Sequence, residues 1–449
     1  MPRDCLTRAA VLSPGTAMQT AADAPRTRVL VTGVGVLSPI GSGKARFYEA
    51  LAAGASGAAE VTQFSTEGLG RSVACEVKDF VARDHLAAVE ARRMGRCSAM
   101  ALAAARMALK DAALEENAWQ DRTRVAVIVG TTMGEADVLE KLDQALVRSG
   151  PGALQRSHLA RVGSTLLPTH IARAIGAEGP TMTLPAACAA GNYAIGLAYD
   201  LIRTGKADVV IAGASELIQQ LQFSGFVRLA AMAPDRCRPF DKNRQGILLG
   251  EGAAVFVLES EAHAQRRGAT VQAEVGGFGL TCDAYHITRP HPDAAGSVTA
   301  MRRAIAEAGV TADDIDFVNA HGTGTKANDT AETAVMNEVF GQKRVPISSM
   351  KSMFGHCMGA ASAIEAAACI FTIESGIYPP TIHFETPDPE CDVALVANAA
   401  QRGAHRIVVN NSLAFGGYNA VTLFAQPGVL MPPSDRPRAF FAATKEHAS

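Results

Sequence analysis

The chain has 449 residues, 48% of them hydrophobic and 19% charged, with a formal net charge of −2. That length and apolar content allow two sizeable domains, or one fold built from two similar halves, and exclude an intrinsically disordered chain. The near-neutral charge gives no global basic field for nucleic acid, no run of about eighteen apolar residues offers a membrane span, and nine scattered cysteines without a CxxC pair argue against a disulfide framework and for a reducing cytoplasm.

Residues 1–26 lack the apolar core of a secretory signal and read as a tail, with Met18 a second candidate start. The ordered part opens with RVLVTGVGVLSPIG, a strand from Val29 to Thr32 entering a Gly-rich turn. EARRMGRCSAMALAAARMALKDAAL has helical apolar spacing, and RVAVIVGTTMG is a buried strand ending in a loop. TLPAACAAGNYAIGLAYDLIRTGKADVVIAGASE predicts a helix from about Ala189 to Thr204, stopped by Gly205 at C′, then a strand from about Asp208 to Ala212. GEGAAVFVLES adds a strand starting near Ala253.

The plan then repeats. TVQAEVGGFGL echoes the first strand, DIDFVNAHGTGT echoes RVAVIVGTTMG, and SSMKSMFGHCMGAASAIEAAACIFTIESG echoes the cysteine loop with its helix. HRIVVNNSLAFGGYNAVTLF echoes the last two strands. Such a duplication of βαβ-type units predicts two packed α/β halves, residues 27–270 and 271–426, with mostly parallel buried strands. Residues 427–449 are Pro-rich and read as a loosely held tail.

Cys188 stands at the start of its helix, where partial positive charge and unpaired amide donors favour thiolate, the nucleophilic form. Its small neighbours Ala186, Ala187, Ala189, Ala190 and Gly191 leave room for a substrate carbonyl. Taken alone, a buried structural cysteine is the plainer alternative. His321 in VNAHGTGTKANDTAE lies on a loop at a strand end. His356 comes five residues after Lys351, on the loop that occupies in the second half the place of the Cys188 loop in the first. A thiol with two histidines and a lysine suits acyl transfer to sulfur. Decarboxylation of a second thioester would then create an enolate that two imidazole N–H donors can stabilise. No spacing suggests a metal ligand set.

The stretches around Cys188, His321 and His356, with NNSLAFGGYN near the end, resemble the β-ketoacyl-acyl carrier protein synthases. The resemblance runs from about Arg28 to Phe424 and is closest to the type II condensing enzymes of dissociated fatty acid and polyketide systems. It implies a thiolase-like duplicated αβαβα layered fold of the α/β class, usually homodimeric. It also implies no bound cofactor, the substrates riding on the phosphopantetheine arm of an acyl carrier protein.

By the same resemblance Cys188 takes the acyl chain, and His321 and His356 assist decarboxylation of a malonyl thioester. Lys351 supports the histidines, Glu365 orders the same network, and Thr323 and Thr325 contact the arm. Phe415 is the gating phenylalanine, whose backbone N–H joins that of Cys188 in an oxyanion hole, and Met133 matches a position lining the acyl pocket. Arg92 and Arg93 match a carrier-docking patch, to which Arg228 adds a third basic group. The plainer readings are a solvated loop charge for Lys351, a locally paired helix residue for Glu365, turn residues for the threonines, core packing for Phe415 and unpartnered surface arginines.

Ala414 stands where the family has a glycine that helps the gate swing, Tyr418 stands in place of threonine, and AACAAG replaces the usual Thr-Ala-Cys-Thr-Ser. With HGTGTKAND leaning toward polyketide-type synthases, these departures predict an unusual acyl chain from a specialised pathway. A thiolase would carry a second cysteine in a C-terminal Cys-x-Gly, a chain-length factor would lack the nucleophile, and a Cys-His-Asn synthase would lack His356. A heterodimer with a related subunit, or acyl transfer without elongation, is the alternative reading.

Overall fold

The computed structural model describes residues 27–432; most of both sequence-predicted tails, 1–26 and 433–449, lies outside the described residues. The elements that position the site are strands β1 (Val29–Ser38), β2 (Val125–Gly130), β3 (Thr181–Leu184), β4 (Val209–Glu216) and β5 (Gly252–Ser260), followed by β6 (Ala273–Cys282), β7 (Phe317–Asn319), β8 (Ile347–Ser348), β9 (Ile407–Ala414) and β10 (Tyr418–Ala425). The helices are α1 (Arg96–Asp111), α2 (Leu166–Ile175), α3 (Ala190–Arg203), α4 (Gln220–Arg228), α5 (Ala295–Glu307), α6 (Lys326–Phe340) and α7 (Ala361–Ser375).

The first half orders its strands β1-β5-β4-β2-β3, and the second repeats that order as β6-β10-β9-β7-β8. The two half-sheets meet edge to edge where β1 and β6 pair antiparallel, Val29 opposite Val275 and Val31 opposite Ala273. The strands are not mostly parallel, as the sequence pattern suggests. In each half the pairs β2–β3 and β2–β4, or β7–β8 and β7–β9, are parallel. The pairs β1–β5 and β4–β5, or β6–β10 and β9–β10, are antiparallel. Continuous apolar runs show that both sheet faces are covered, and covered faces do not report strand direction.

The period of two along each strand sorts the core into layers. Val209 and Ile211 of β4 pack with α1 and α2 on one face. Val210, Ala212 and Ala214 pack on the other face with α3 and α7. In the second half Phe317, Val408 and Phe424 join that same central core, while Val318, Val409 and Leu423 face α5 and α6. The order is thus helix, sheet, helix, sheet, helix, with α3 and α7 sealed in the middle. Every residue of α7 up to Ile373 is buried. Its apolar length would suit a membrane span, but 89% of that stretch is buried inside the protein, so its composition belongs to the central layer.

The central helices approach closely, and this explains the small residues around Cys188. A Cβ on Gly191 would lie 2.4 Å from the backbone N of Ala363 in α7, and one on Gly130 would lie 2.4 Å from the carbonyl of Ala190. Packing, rather than substrate access alone, therefore requires the pattern. A 3₁₀ turn precedes each central helix, Ala187–Ala189 before α3 and Met358–Ala360 before α7. Both turns open on a non-glycine residue in the left-handed region, Ala187 at φ 47 and Met358 at φ 46. Such conformations are rare without glycine. The duplication pairs Cys188 with Gly359.

The predicted helix after Cys188 ends as expected, with Thr204 at the C-cap and Gly205 at φ 66. Beyond Gln426 the chain is held for several residues rather than loose. Leu430 is buried in the second-half core, and its carbonyl accepts a 3.0 Å hydrogen bond from Arg28 Nη2.

Candidate active site

A cavity open to solvent is lined by Cys188, His321, Thr323, Thr325, His356 and Phe415, together with Phe226 and Asn328. Each comes from an element end. Cys188 lies in the turn before α3, His321 follows β7, and His356 precedes the turn before α7. Phe415 follows β9. Residues from both halves therefore meet at one cavity because the half-sheets are related by the duplication.

The histidine rings stand edge to face, 5.4 Å apart between centroids, and both residues are buried. Burial, and then the Lys351 cation, push both imidazoles well below their usual range, so both are neutral near pH 7. Their backs are occupied. His356 Nδ1 accepts the Met358 backbone N–H at 3.2 Å, which places the ring proton on Nε2. Lys351 Nζ lies 3.4 Å from His321 Nδ1, and an ammonium there assigns the same tautomer. The pair thus offers two Nε2–H donors.

Lys351 and Glu365 are fully buried and form an ion pair. Burial pushes the Glu365 carboxyl up to about 7, against the pull of Lys351. A second buried acid, Glu332 of α6, accepts the backbone N–H groups of His321 and Gly322 at 2.7 Å each, and Asn411 Nδ2 donates to it at 2.7 Å. A third, Glu216 at the end of β4, accepts N–H groups from Thr132, Met133 and Gly359. Sequence reasoning missed both Glu332 and Glu216. Their partners are backbone amides distant in sequence, and only the position of Glu332 at the end of NDTAE, on a helix after the histidine loop, offered a signal.

Cys188 departs from the sequence expectation. Its own N–H and that of Phe415 point to the sulfur and, with Lys351, favour the thiolate. Desolvation outweighs them, with help from the Glu216 carboxylate, and pushes the thiol up to about 11. At rest the Cys188 sulfur is a thiol. Alkylation of Cys188 by iodoacetamide is therefore expected to rise about tenfold per pH unit from pH 7 to 9, because only the thiolate reacts. If, as the resemblance implies, decarboxylation of a malonyl thioester rests on these neutral imidazoles, its rate should stay flat from about pH 6.5 upward, the range in which a depressed histidine carries no charge. Parallel rate profiles for alkylation and decarboxylation check both, and an alkylation plateau near neutrality would show a resting thiolate.

Thr323 and Thr325 face the cavity and share a 2.9 Å hydrogen bond between hydroxyls. Phe415 stacks on Phe226 with centroids 5.9 Å apart. Ala414 is extended, at φ −133 and ψ 156, a conformation open to any residue. The left-handed positions fall after Phe415, at Gly416 (φ 84) and Gly417 (φ 78), and a Cβ on Gly416 would lie 2.8 Å from the Tyr418 ring. The loop that bears Phe415 therefore places its conformational freedom on its C-terminal side, beneath Tyr418. Met133 does not line the Cys188 cavity; it sits on the neighbouring loop that Glu216 holds, against Gln219. Arg228 is exposed at the end of α4, two residues past the cavity-lining Phe226. Arg92 is exposed, and Arg93 lies on a separate surface pocket with His170 and Arg173.

A duplicated five-layer fold, with a cysteine at the first elbow and two histidines supplied by the second half, is the layout of the thiolase-like condensing enzymes. Two family models match the chain, beta-ketoacyl synthase N-terminal domain over residues 26–264 and beta-ketoacyl synthase C-terminal domain over residues 272–385. The chain belongs to the β-ketoacyl synthase family, a family of acyltransferases. It is 38% identical over 407 residues to 3-oxoacyl-[acyl-carrier-protein] synthase 2 of Staphylococcus aureus (strain N315), covering 88% of this chain and 98% of the relative. Among solved structures it is similar to the ishigamide ketosynthase/chain length factor, with TM-score 0.87, 44% identity, and coverage of 90% of this chain and 100% of that one. It is also similar to a type II PKS acyl-carrier protein in complex with its ketosynthase bound to the hexaketide, with TM-score 0.83, 30% identity, and coverage of 90% and 99%.

Proposed function

We propose that the protein condenses an acyl chain held on Cys188 with a malonyl thioester carried by an acyl carrier protein, extending a fatty acid or polyketide chain. The observation that carries this reading is the pair of neutral histidines, each held from behind at Nδ1, on the same cavity as the thiol. Cys188 gives up its proton and attacks the incoming thioester carbonyl. The N–H groups of Cys188 and Phe415 receive the oxyanion, and the carrier thiol leaves with the proton. The malonyl thioester then enters along Thr323 and Thr325. Its bond to the carboxylate breaks, carbon dioxide departs with no electrons from that bond, and the enolate oxygen is held by the Nε2–H groups of His321 and His356. The carbon nucleophile attacks the Cys188 thioester and expels the sulfur, which recovers a proton. Lys351 and Glu365 position His321.

The docking surface for the acidic carrier protein is assigned to Arg92, Arg93 and Arg228, all exposed. A homodimer is supported by β3, whose outer edge carries no further strand among the described residues and can be extended by a second copy. A thiol and two histidines on one cavity support an elongating subunit over a non-elongating partner. The eight described cysteines are all unpaired, which suits a reducing cytoplasm.

Intact-mass analysis tests the reading. Incubation with a panel of acyl carrier proteins should add one acyl mass at Cys188, and subsequent malonyl carrier protein should release it as a chain two carbons longer. Loading without release would leave a transfer role only, and failure to load with any acyl group would overturn the assignment.

A further inference from the structure

The wall of the Cys188 cavity can be followed outward. His321 and Thr323 are buried, Thr325 is half-buried and Ala327, in the first turn of α6, is exposed, and all four line the cavity. Its mouth therefore lies at the N-terminus of α6, which no side chain caps. The loop after β6 adds Thr288 and Pro290 to the same lining.

Both segments set an exposed cation between two lining residues, Arg289 between Thr288 and Pro290 and Lys326 between Thr325 and Ala327. Neither cation reaches a carboxylate among the described residues. Asp283, the acid of this lining, has both oxygens occupied, Oδ1 by Asn419 Nδ2 at 2.7 Å and Oδ2 by the His291 N–H at 3.1 Å.

The ring of His286 adds an independent sign. Its Nδ1 accepts the backbone N–H groups of Thr288 and Arg289 at 3.0 and 3.2 Å, which places the ring proton on Nε2. That Nε2 lies 3.4 Å from Arg289 Nη2. A guanidinium cannot accept, so two donors face each other with no acceptor between them. An oxyanion satisfies both, and Lys326 with the start of α6 adds positive potential at the same mouth. A thioester that enters here on a pantetheine arm brings such an anion, the phosphate at the far end of the arm.

We propose that His286, Arg289 and Lys326 form a seat at the cavity mouth for the phosphate of a pantetheine arm whose thioester reaches Cys188. The protein then recognises the arm itself, apart from whatever carries it. The inference rests on Cys188 being the acyl-bearing nucleophile.

Matched thioesters of pantetheine and 4′-phosphopantetheine, with acyl groups from acetyl to decanoyl, test this at subsaturating concentration, read as the rate of mass gain on Cys188 in the full chain. The phosphorylated donor should load about tenfold faster, the gain of one charge-assisted hydrogen bond. Arg289→Gln and Lys326→Gln should each lower that ratio at an unchanged melting temperature, and together bring it close to one. Acyl-coenzyme A, the other bearer of this phosphate, separates the sources: faster loading from it than from phosphopantetheine supports a seat that takes the coenzyme, and slower loading supports one that takes the carrier-bound arm. Equal loading from the two matched donors, or a ratio undiminished in either variant, would overturn the proposal alone. No loading from any donor across the series would overturn the assignment of Cys188 and the proposal with it.

Discussion

Replacing His356 by alanine is expected to leave acyl loading of Cys188 nearly intact while decarboxylation of a malonyl thioester falls about 10²–10³-fold, the usual loss when one preorganised oxyanion donor is removed. The split follows from geometry. Loading uses the sulfur and the backbone N–H groups of Cys188 and Phe415, whereas the imidazole Nε2–H has an oxygen to bind only when the second thioester loses carbon dioxide. His356→Asn, which retains an N–H donor, should recover part of the rate; His321→Ala should repeat the loss. Separate assays of acyl mass gain and carbon dioxide release check this. An equal fall in both would mean that the ring merely supports the cavity, and undiminished decarboxylation would remove the histidines from the chemistry.

The second large effect lies beneath the cavity. Lys351→Met leaves Glu365 fully buried without its cation, and breaking a buried pair in this way costs about 3–5 kcal/mol. Burial already pushes Glu365 up to about 7, so the unpaired carboxyl should take up a proton. Lys351→Met combined with Glu365→Leu should regain most of the melting temperature, because no unpartnered buried carboxyl remains. Decarboxylation should stay low, since His321 Nδ1 has lost the group 3.4 Å behind it. Recovery of both stability and decarboxylation in the double variant would make the pair purely structural.

Much of this arrangement was legible in the chain. The duplicated order of elements and the loops bearing Cys188, His321 and His356 could be read because turns, glycines and apolar runs are local signals. Strand direction was harder. β4 and β5 are antiparallel across a long excursion, and nothing local reports it. The β9–β10 pair is different, since only Phe415, Gly416 and Gly417 separate the two strands, and that short Gly-rich link is a hairpin signal. The state of the Cys188 sulfur was misjudged because helix position can be read from sequence, whereas the depth of burial that decides the matter cannot. Glu216 and Glu332 escaped notice for a related reason: each is defined by groups brought to it from elsewhere in the fold.

The paired elbows have diverged in one direction only. At the second, Gly359 stands where the first carries its sulfur, and any side chain there would place its Cβ 2.6 Å from Thr132 N and 2.8 Å from Glu216 Oε2. A cysteine at 359 would thus collide with the very amide that Glu216 holds, and so disturb the loop next to the working thiol. The symmetry of the duplication is now a division of labour: one copy bears the thiol, and the other braces the loop beside it.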